Sequence, residues 1–376
     1  MIDAWSKSGK KGYAARRCQS ILDRMEQMYL EGELYIKPNS YTYNAVLNAW
    51  SKSGEKDSSM NAEMILKRMI KYQTQPDVFT YTTVIDTLKG GGRYSAFRAL
   101  EILKQMQTEN IVKPNTYTYT TIINVLAKSG DYDSGDTCIA LLDYMMELYK
   151  NYNDIESKPN IVTCNGVLLA ISRAKGIHNA SKIEDLLQRM KLPMEQNGFH
   201  IPPDNISYNI AILYYCWKNI STLDSISRAI SLLQEMKDNQ IQPTLNQYNV
   251  IIIALSKIHH HKSAKMADSL LQQMIQESII LPDTVTFNAC MSSYARNRGL
   301  APAHRVEELI TQMYTLHKSG THPDLKPNLR SFAAVLQTWA RSGLREKAAI
   351  RAEEIIHRME MLYEEGELDS PPDVYW

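Results

Sequence analysis

One apolar pattern constrains this chain more than any other feature. Ala62, Ile65, Leu66 and Met69 stand at i, i+3, i+4 and i+7, which puts them on one face of a helix. The stripe returns as Ala99, Ile102, Leu103, Met106; Cys138, Leu141, Leu142, Met145; Ile183, Leu186, Leu187, Met190; Ala229, Leu232, Leu233, Met236; Ala267, Leu270, Leu271, Met274; Val306, Leu309, Ile310, Met313; and Ala352, Ile355, Ile356, Met359. An earlier copy is Cys18, Ile21, Leu22, Met25. Ahead of the 62–69 stripe lies another helical face, Tyr43, Val46, Leu47 and Trp50, and Gly54 suits the turn between the two. A lone helix pair cannot bury its apolar face, so consecutive pairs must stack. The expected fold is all-α, a solenoid of two-helix repeats with the methionines in its core.

The pattern marks eight complete units: 40–77, 78–115, 116–160, 161–204, 205–244, 245–283, 284–328 and 329–373. Residues 1–39 read as a partial repeat, and 374–376 as the start of another. Met1-Ile2-Asp3-Ala4-Trp5-Ser6-Lys7-Ser8-Gly9 matches Val46-Leu47-Asn48-Ala49-Trp50-Ser51-Lys52-Ser53-Gly54. Met1 is therefore expected inside a first helix, the chain looks truncated there, and a missing targeting signal says nothing about compartment. No linker or shift in composition divides the array, so 1–376 reads as a single domain. Extra residues in the longer units, such as Glu147 to Ser157 and Thr315 to Asp324, are expected as extended second helices or exposed loops.

Chemistry-bearing motifs are missing. Cys18, Cys138, Cys164, Cys216 and Cys290 are scattered and form no C-x-x-C, so they read as reduced structural thiols and not as a zinc site. His259-His260-His261 has no paired carboxylates or thiols and reads as a solvated turn. Gly90-Gly91-Gly92 is not followed by a phosphate-loop motif and reads as a turn. No H-x-E is followed by a later C-x-x-C. No apolar run approaches a membrane span. The chain is expected to be no enzyme, with no metal, cofactor, membrane or small-molecule substrate. Lys and Arg total 42 against 41 Asp and Glu, so any basic surface must come from local arrangement.

Each unit opens on Pro-[Asn/Asp]-x-x-Thr-Tyr-Asn or a close variant, as in Lys37-Pro38-Asn39-Ser40-Tyr41-Thr42-Tyr43-Asn44, Gln75-Pro76-Asp77-Val78-Phe79-Thr80-Tyr81-Thr82 and Lys113-Pro114-Asn115-Thr116-Tyr117-Thr118-Tyr119-Thr120. This opening resembles the pentatricopeptide repeat family, in a long-repeat variant, over essentially the whole chain. The Trp-x-x-Leu-Gly-x-x-Tyr opening of tetratricopeptide repeats is absent. The resemblance implies a right-handed α-solenoid that binds single-stranded RNA, one base per repeat. It also implies a mitochondrial or plastid location, a role in RNA processing, stability or translation, and RNA-processing proteins as further partners.

Two positions per unit would read bases by that resemblance. One follows the closing proline: Asn39, Asp77, Asn115, Asn160, Asp204, Thr244, Asp283, Asn328 and Asp373. Every one is also a good helix N-cap. The other is Asn44, Thr82, Thr120, Asn165, Asn209, Asn249 and Asn288, with Ala333 breaking the series. Inside a helix Asn and Thr each cost about 0.5 kcal/mol relative to Ala, so their repetition calls for a compensating gain. The family's pairing rule makes Asn44 with Asp77 a uridine reader, and Thr82 with Asn115 and Thr120 with Asn160 adenosine readers. Asn165 with Asp204 and Asn249 with Asp283 suggest uridine, and Asn288 with Asn328 a pyrimidine. Asn209 with Thr244 is off-pattern. The implied target is 5′-U-A-A-U-Y-U-Y-3′, where Y is a pyrimidine.

A cationic stripe accompanies these pairs. Lys52, Lys128, Arg173, Lys257, Arg296 and Arg341 each lie nine residues after the first-helix aromatic position, which Cys164 fills once, and Lys89 and Lys218 are displaced by one. They are candidates for phosphate contact, and equally suit the negative end of the first helix. The competing functional class is a protein-interaction scaffold of helical-repeat type.

Overall fold

The computed structural model describes every residue except 9–10, 109–111, 177, 197, 219–221, 259, 321–324 and 373–376. The described residues form helices and short turns. The chain divides into two compact units, Met1–Ser207 and Tyr208–Trp376.

In the first unit, helix pairs follow one another in chain order: α1 (Ile2–Ser6) with α2 (Lys11–Leu30), α3 (Ser40–Ser53) with α4 (Ser58–Lys71), α5 (Val78–Thr87) with α6 (Gly92–Thr108), α7 (Thr116–Ser129) with α8 (Ser134–Tyr152), and α9 (Ile161–Arg173) with α10 (Asn179–Lys191). The helix α11 (Asn205–Trp217) leads into the second unit. There α12 (Leu223–Asp238) is followed by α13 (Leu245–Lys257) with α14 (His261–Glu277), α15 (Thr284–Tyr294) with α16 (Leu300–Lys318), and α17 (Leu329–Ala340) with α18 (Arg345–Glu364). Within each unit a first helix packs on its own second helix, on the second helix before it and on the preceding first helix. That is the packing of a helical-repeat solenoid.

The expected stripes are the core. Ala62, Ile65 and Met69 are fully buried, as are Ala99, Ile183, Met190, Ala267, Val306 and Met313. Gly54 and Gly130 end α3 and α7 in the left-handed region, at φ 69° and 62°, where glycine carries no Cβ penalty. At the triple glycine α5 instead runs into a 3-10 turn, Leu88–Gly90. The extra residues of the longer units are both helix and turn: α8 continues to Tyr152, and a 3-10 turn follows over Ile155–Ser157. All five cysteines are buried and unbridged, and burial pushes the Cys164 and Cys216 thiols up to about 12. Among the described residues no three His, Cys, Asp or Glu side chains group as a metal site, and no helix is long and apolar enough to cross a membrane.

Second helices of neighbouring repeats are tied by charge pairs. Arg68 reaches Glu26 at 2.7 Å and Asp23 at 2.6 Å, and Arg98 reaches Glu63 at 3.1 Å. Lys182 pairs with Asp136 at 2.6 Å, and Arg189 with Asp143. In the second unit Lys237 pairs with Glu277, Arg305 with Asp268 and Arg351 with Glu307, each at 2.7 Å. Many of the chain's acids therefore stand in the second-helix layer. The first helices α3, α5, α7, α9, α11, α13, α15 and α17 hold Lys52, Lys128, Arg173, Lys257 and Arg330 against a single acid, Asp86.

Candidate functional site

The residue after each closing proline caps a first helix. Its backbone is extended, and its side chain accepts the N–H of the residue three further on. Asn39 accepts from Thr42 at 3.0 Å, Asp77 from Thr80 at 2.7 Å, Asn115 from Thr118 at 3.0 Å and Asn160 from Thr163 at 3.0 Å. Asp204 accepts from Ser207 at 2.9 Å, Asp283 from Thr286 at 2.8 Å and Asn328 from Ser331 at 3.2 Å. A backbone N–H only donates, so the asparagine atom facing it is Oδ1. Thr244 differs in its partner: its N–H donates to the amide oxygen of Gln247, Oε1, at 2.7 Å, where the N–H of caps such as Asp77 and Asp283 donates to a threonine hydroxyl at 3.1 Å. Asp373, paired in sequence with Ala333, lies outside the described residues.

Each cap is brought beside the polar side chain of the preceding first helix. Asn44 Nδ2 donates to Asp77 Oδ2 at 3.1 Å, Asn165 Nδ2 to Asp204 Oδ1 at 3.1 Å, Asn249 Nδ2 to Asp283 Oδ1 at 3.3 Å, and Asn288 Nδ2 to Asn328 Oδ1 at 3.2 Å. The two sequence-derived series thus form one ladder of pairs, joined across repeats 33 to 40 residues apart. Asn209 and Thr244 are not joined by a hydrogen bond, in keeping with their off-pattern identity.

A third member of each pair has no role in the sequence-based expectation. The hydroxyl three residues after the cap donates to the preceding asparagine's Oδ1: Thr80 to Asn44 at 2.7 Å, Ser207 to Asn165 at 2.6 Å, Thr286 to Asn249 at 2.6 Å and Ser331 to Asn288 at 2.7 Å. Where threonine replaces the asparagine, the hydroxyls meet directly, Thr82 with Thr118 at 2.9 Å and Thr120 with Thr163 at 2.8 Å. Recurrence of Ser or Thr just before the aromatic was the available signal.

The two members of each pair differ in exposure. In the first-helix series Thr82 is 1% exposed, Thr120 7%, and Asn165 and Asn249 9% each, while Asn44, Asn209 and Asn288 are half-buried. Stacked first helices cover them. The cap residues stay more open, Asp77 and Asn160 exposed and Asn115, Asp204, Asp283 and Asn328 half-buried. In an asparagine cap Oδ1 is taken by the helix, which leaves the Nδ2 amide as a donor. An aspartate cap takes the helix bonds on Oδ1, and Oδ2 remains an acceptor that at Asp77 and Asp283 is shared with the preceding asparagine at 3.1 and 3.4 Å. Burial alone would raise the Asp204 carboxyl, but hydrogen bonds from the Ser207 N–H, the Asn165 amide and the Ser207 hydroxyl outweigh it and hold the acid below the usual range.

Apolar side chains flank the pairs. Two residues after the cap stand Tyr41, Phe79, Tyr117, Val162, Ile206 and Val285, each at least half exposed. They lie off the buried helical face, which is the signal that sequence inspection had available and left unused.

The cationic stripe is exposed at Lys52, Lys128, Arg173, Lys257, Arg296 and Arg341. Arg296 Nη1 donates to the Lys257 carbonyl at the end of α13, and Arg341 Nη1 to the Ala295 carbonyl just past α15, both at 2.9 Å. These two cap the preceding first helix and keep further N–H groups free. Lys89 is drawn to Asp86, which also accepts from Ser51 at 2.6 Å. His260 Nδ1 caps α14 by accepting the Lys262 N–H, and His259 lies outside the described residues.

The fold and ladder define an all-α helical-repeat protein that lines up one capped polar pair per repeat. Family models agree on which kind: the PPR repeat family matches residues 38–89, the pentatricopeptide repeat domain 64–129, and the pentacotripeptide-repeat region of PRORP 208–370. The chain belongs to the pentatricopeptide repeat family. It is similar to small ribosomal subunit protein mL103 (rPPR7) of Arabidopsis thaliana, 23% identical over 56% of this chain and 44% of that protein. It also resembles a chloroplastic pentatricopeptide repeat-containing protein of the same plant, 26% identical over 54% of this chain and 23% of that one. A third relative is the mitochondrial 15S rRNA processing factor ppr3 of Schizosaccharomyces japonicus, 26% identical over 44% of this chain and 22% of that protein. The chain thus spans less than half the length of these relatives. Its fold matches the crystal structure of the pentatricopeptide repeat protein PPR10 from maize with a TM-score of 0.60 at 19% identity, covering 94% of this chain and 42% of that one.

Proposed function

We propose that this array binds single-stranded RNA in a mitochondrion or plastid and selects its sequence one base per repeat. It acts in processing, stability or translation of a transcript, without catalysis of its own and alongside RNA-processing proteins. One observation carries the reading: each Asp or Asn cap from Asp77 to Asn328 has a second polar atom beyond the one that caps the helix, an acceptor on Asp and a donor on Asn. The Oδ2 acceptor of Asp77, Asp204 and Asp283 suits the N3–H donor of uridine. The Nδ2 donor of Asn115 and Asn160 suits the N1 acceptor of adenosine, and that of Asn328 the N3 acceptor of cytidine. The buried Thr82, Thr120, Asn165 and Asn249 and the half-buried Asn44 and Asn288 then hold each cap in register. The flanking Tyr41, Phe79 and Tyr117 offer faces on which bases stack.

Lys52, Lys128 and Arg173 stand at first-helix ends about 12 Å along the helix from the pairs, a distance that suits a nucleotide from phosphate to base edge. Near-neutral net charge would favour a protein scaffold, but the acids are concentrated in the opposite layer of each pair. Selection from a random RNA pool tests the proposal. U-A-A-U-Y-U-Y is expected, weakened at the first three sites when Asn44, Thr82 and Thr120 become Ala, with affinity falling steeply as salt rises. A G-rich motif, unchanged binding by the triple variant, or a flat salt response would defeat it.

A further inference from the structure

The stripe position nine residues after the aromatic is not cationic in every unit. In 205–244 it is Trp217, 48% exposed at the end of α11, while Trp50 and Trp339 are 4% and 5% exposed. Lys257, the stripe residue of the next unit, places Nζ 3.7 Å from the centre of the Trp217 ring. That is a close cation–π contact. Lys257 makes no ion pair among the described residues, so its charge remains available to a phosphate. The same unit holds the one described pair, Asn209 with Thr244, whose members belong to the two series and yet are not cross-linked, either directly or through a shared hydroxyl. Gln247 stands there in place of the usual Ser or Thr.

Where edge recognition is least organised, the chain thus exposes an indole backed by an ammonium, on the line where the other units present cations. We propose that Trp217 and Lys257 form a stacking platform that binds one nucleobase of the single strand face-on, in place of edge recognition by Asn209 and Thr244. The proposal rests on the RNA-binding reading above. An aromatic face is sequence-tolerant, because every base has a π-face, so the fifth position of the target, a pyrimidine by the pairing rule alone, should accept any base. Lys257 then serves two ends: it orients the ring and meets the phosphate of the stacked nucleotide.

The test uses the full chain and a U-A-A-U-U-U-C oligonucleotide, together with the same oligonucleotide made abasic at its fifth position. Tryptophan emission should be quenched on binding and the quench lost in Trp217→Phe, which keeps near-normal affinity. Trp217→Ala should weaken binding roughly 5- to 100-fold. The abasic oligonucleotide should bind the unaltered chain and Trp217→Ala equally. Trp217→Arg should steepen the salt dependence without restoring affinity. Equal binding of the intact oligonucleotide by the unaltered chain and Trp217→Ala, or Trp217→Arg binding as tightly as the unaltered chain, would overturn the platform while leaving RNA binding in place. Failure of the unaltered chain to bind either oligonucleotide would instead overturn the RNA-binding reading.

Discussion

Asp77 and Asn115 cap their helices with the same kind of bond and leave opposite groups over, so one atom separates their chemistry. Asp77→Asn tests this without disturbing the helix, since both residues are strong caps and the stability change should stay within about 0.5 kcal/mol. Oδ2, which also accepts from Asn44 at 3.1 Å, becomes a donor, and Asn44 keeps its longer bond to Oδ1 at 3.3 Å. Preference at the first site should move from uridine to cytidine, read by binding selection on the variant; retained uridine would mean that Asp77 only caps. The pair positions were legible in sequence because repetition singles them out: an isolated Asn44 looks like any helix-surface asparagine, whereas seven like it at one register do not. Their burial was not legible. Exposure of Thr82 is set by α7 packing across it, and a single helix carries no record of how closely its neighbour approaches. The Thr80 hydroxyl escaped notice for a different reason. A threonine at the start of a helix is already explained by local capping, which hides its second bond to Asn44.

Helix boundaries and stripes were legible because burial follows a 3.6-residue period. The stripe misleads at its first copy. Met25 completes the spacing, yet it is half-buried, and its neighbour Glu26 is 6% exposed. The reason lies in residues 17 and 42 positions away: the Tyr43 hydroxyl donates to Glu26 Oε1 at 2.8 Å, and Arg68 donates to its Oε2 at 2.7 Å. Burial and this carboxylate together push the Tyr43 hydroxyl far up its titration range. Local pattern cannot announce such a triad, because its partners sit on the next two helices. Glu26→Ala leaves a largely buried guanidinium and a phenol short of their acceptor, and should destabilise the chain by about 2–4 kcal/mol. Glu26→Gln keeps the Tyr43 bond and should cost clearly less. Denaturant melts of the two variants decide the matter, and equal losses would show that the retained Tyr43 bond adds nothing and that the charge carries the whole effect.

Across the whole chain, these polar contacts bound the pH range of stability. On the acid side, burial would raise the Asp268 carboxyl, but hydrogen bonds from Arg305 and Tyr294 outweigh it and hold it low. Asp204 is held low in the same manner by Ser207 and Asn165, Asp154 by Ser157 and Lys113, and Glu277 chiefly by its bond from Lys237. A carboxyl depressed in the folded state adds stability that is complete above its unfolded pKa and is lost as pH falls towards the folded one. The loss should therefore begin below about pH 5 and deepen towards pH 3. On the alkaline side the sign reverses. Burial raises Tyr119 to about 12, and Tyr208 and Tyr294 higher still. Unfolding frees these phenols to ionise near 10, so stability declines as pH rises past that value. The melting temperature should form a plateau between about pH 5 and 9 with a fall on both sides. Asp268→Asn should shrink the acid limb and lower the plateau, because Arg305 then loses the more buried of its two charged partners and keeps only the exposed Glu308 at 2.6 Å. An acid limb of unchanged size in that variant would show that these bridges do not govern acid unfolding. Strong salt separates this effect from RNA contact: it should abolish binding at the exposed Lys52 and Lys128 while leaving the half-buried Asp268 bridge, and the plateau, largely in place.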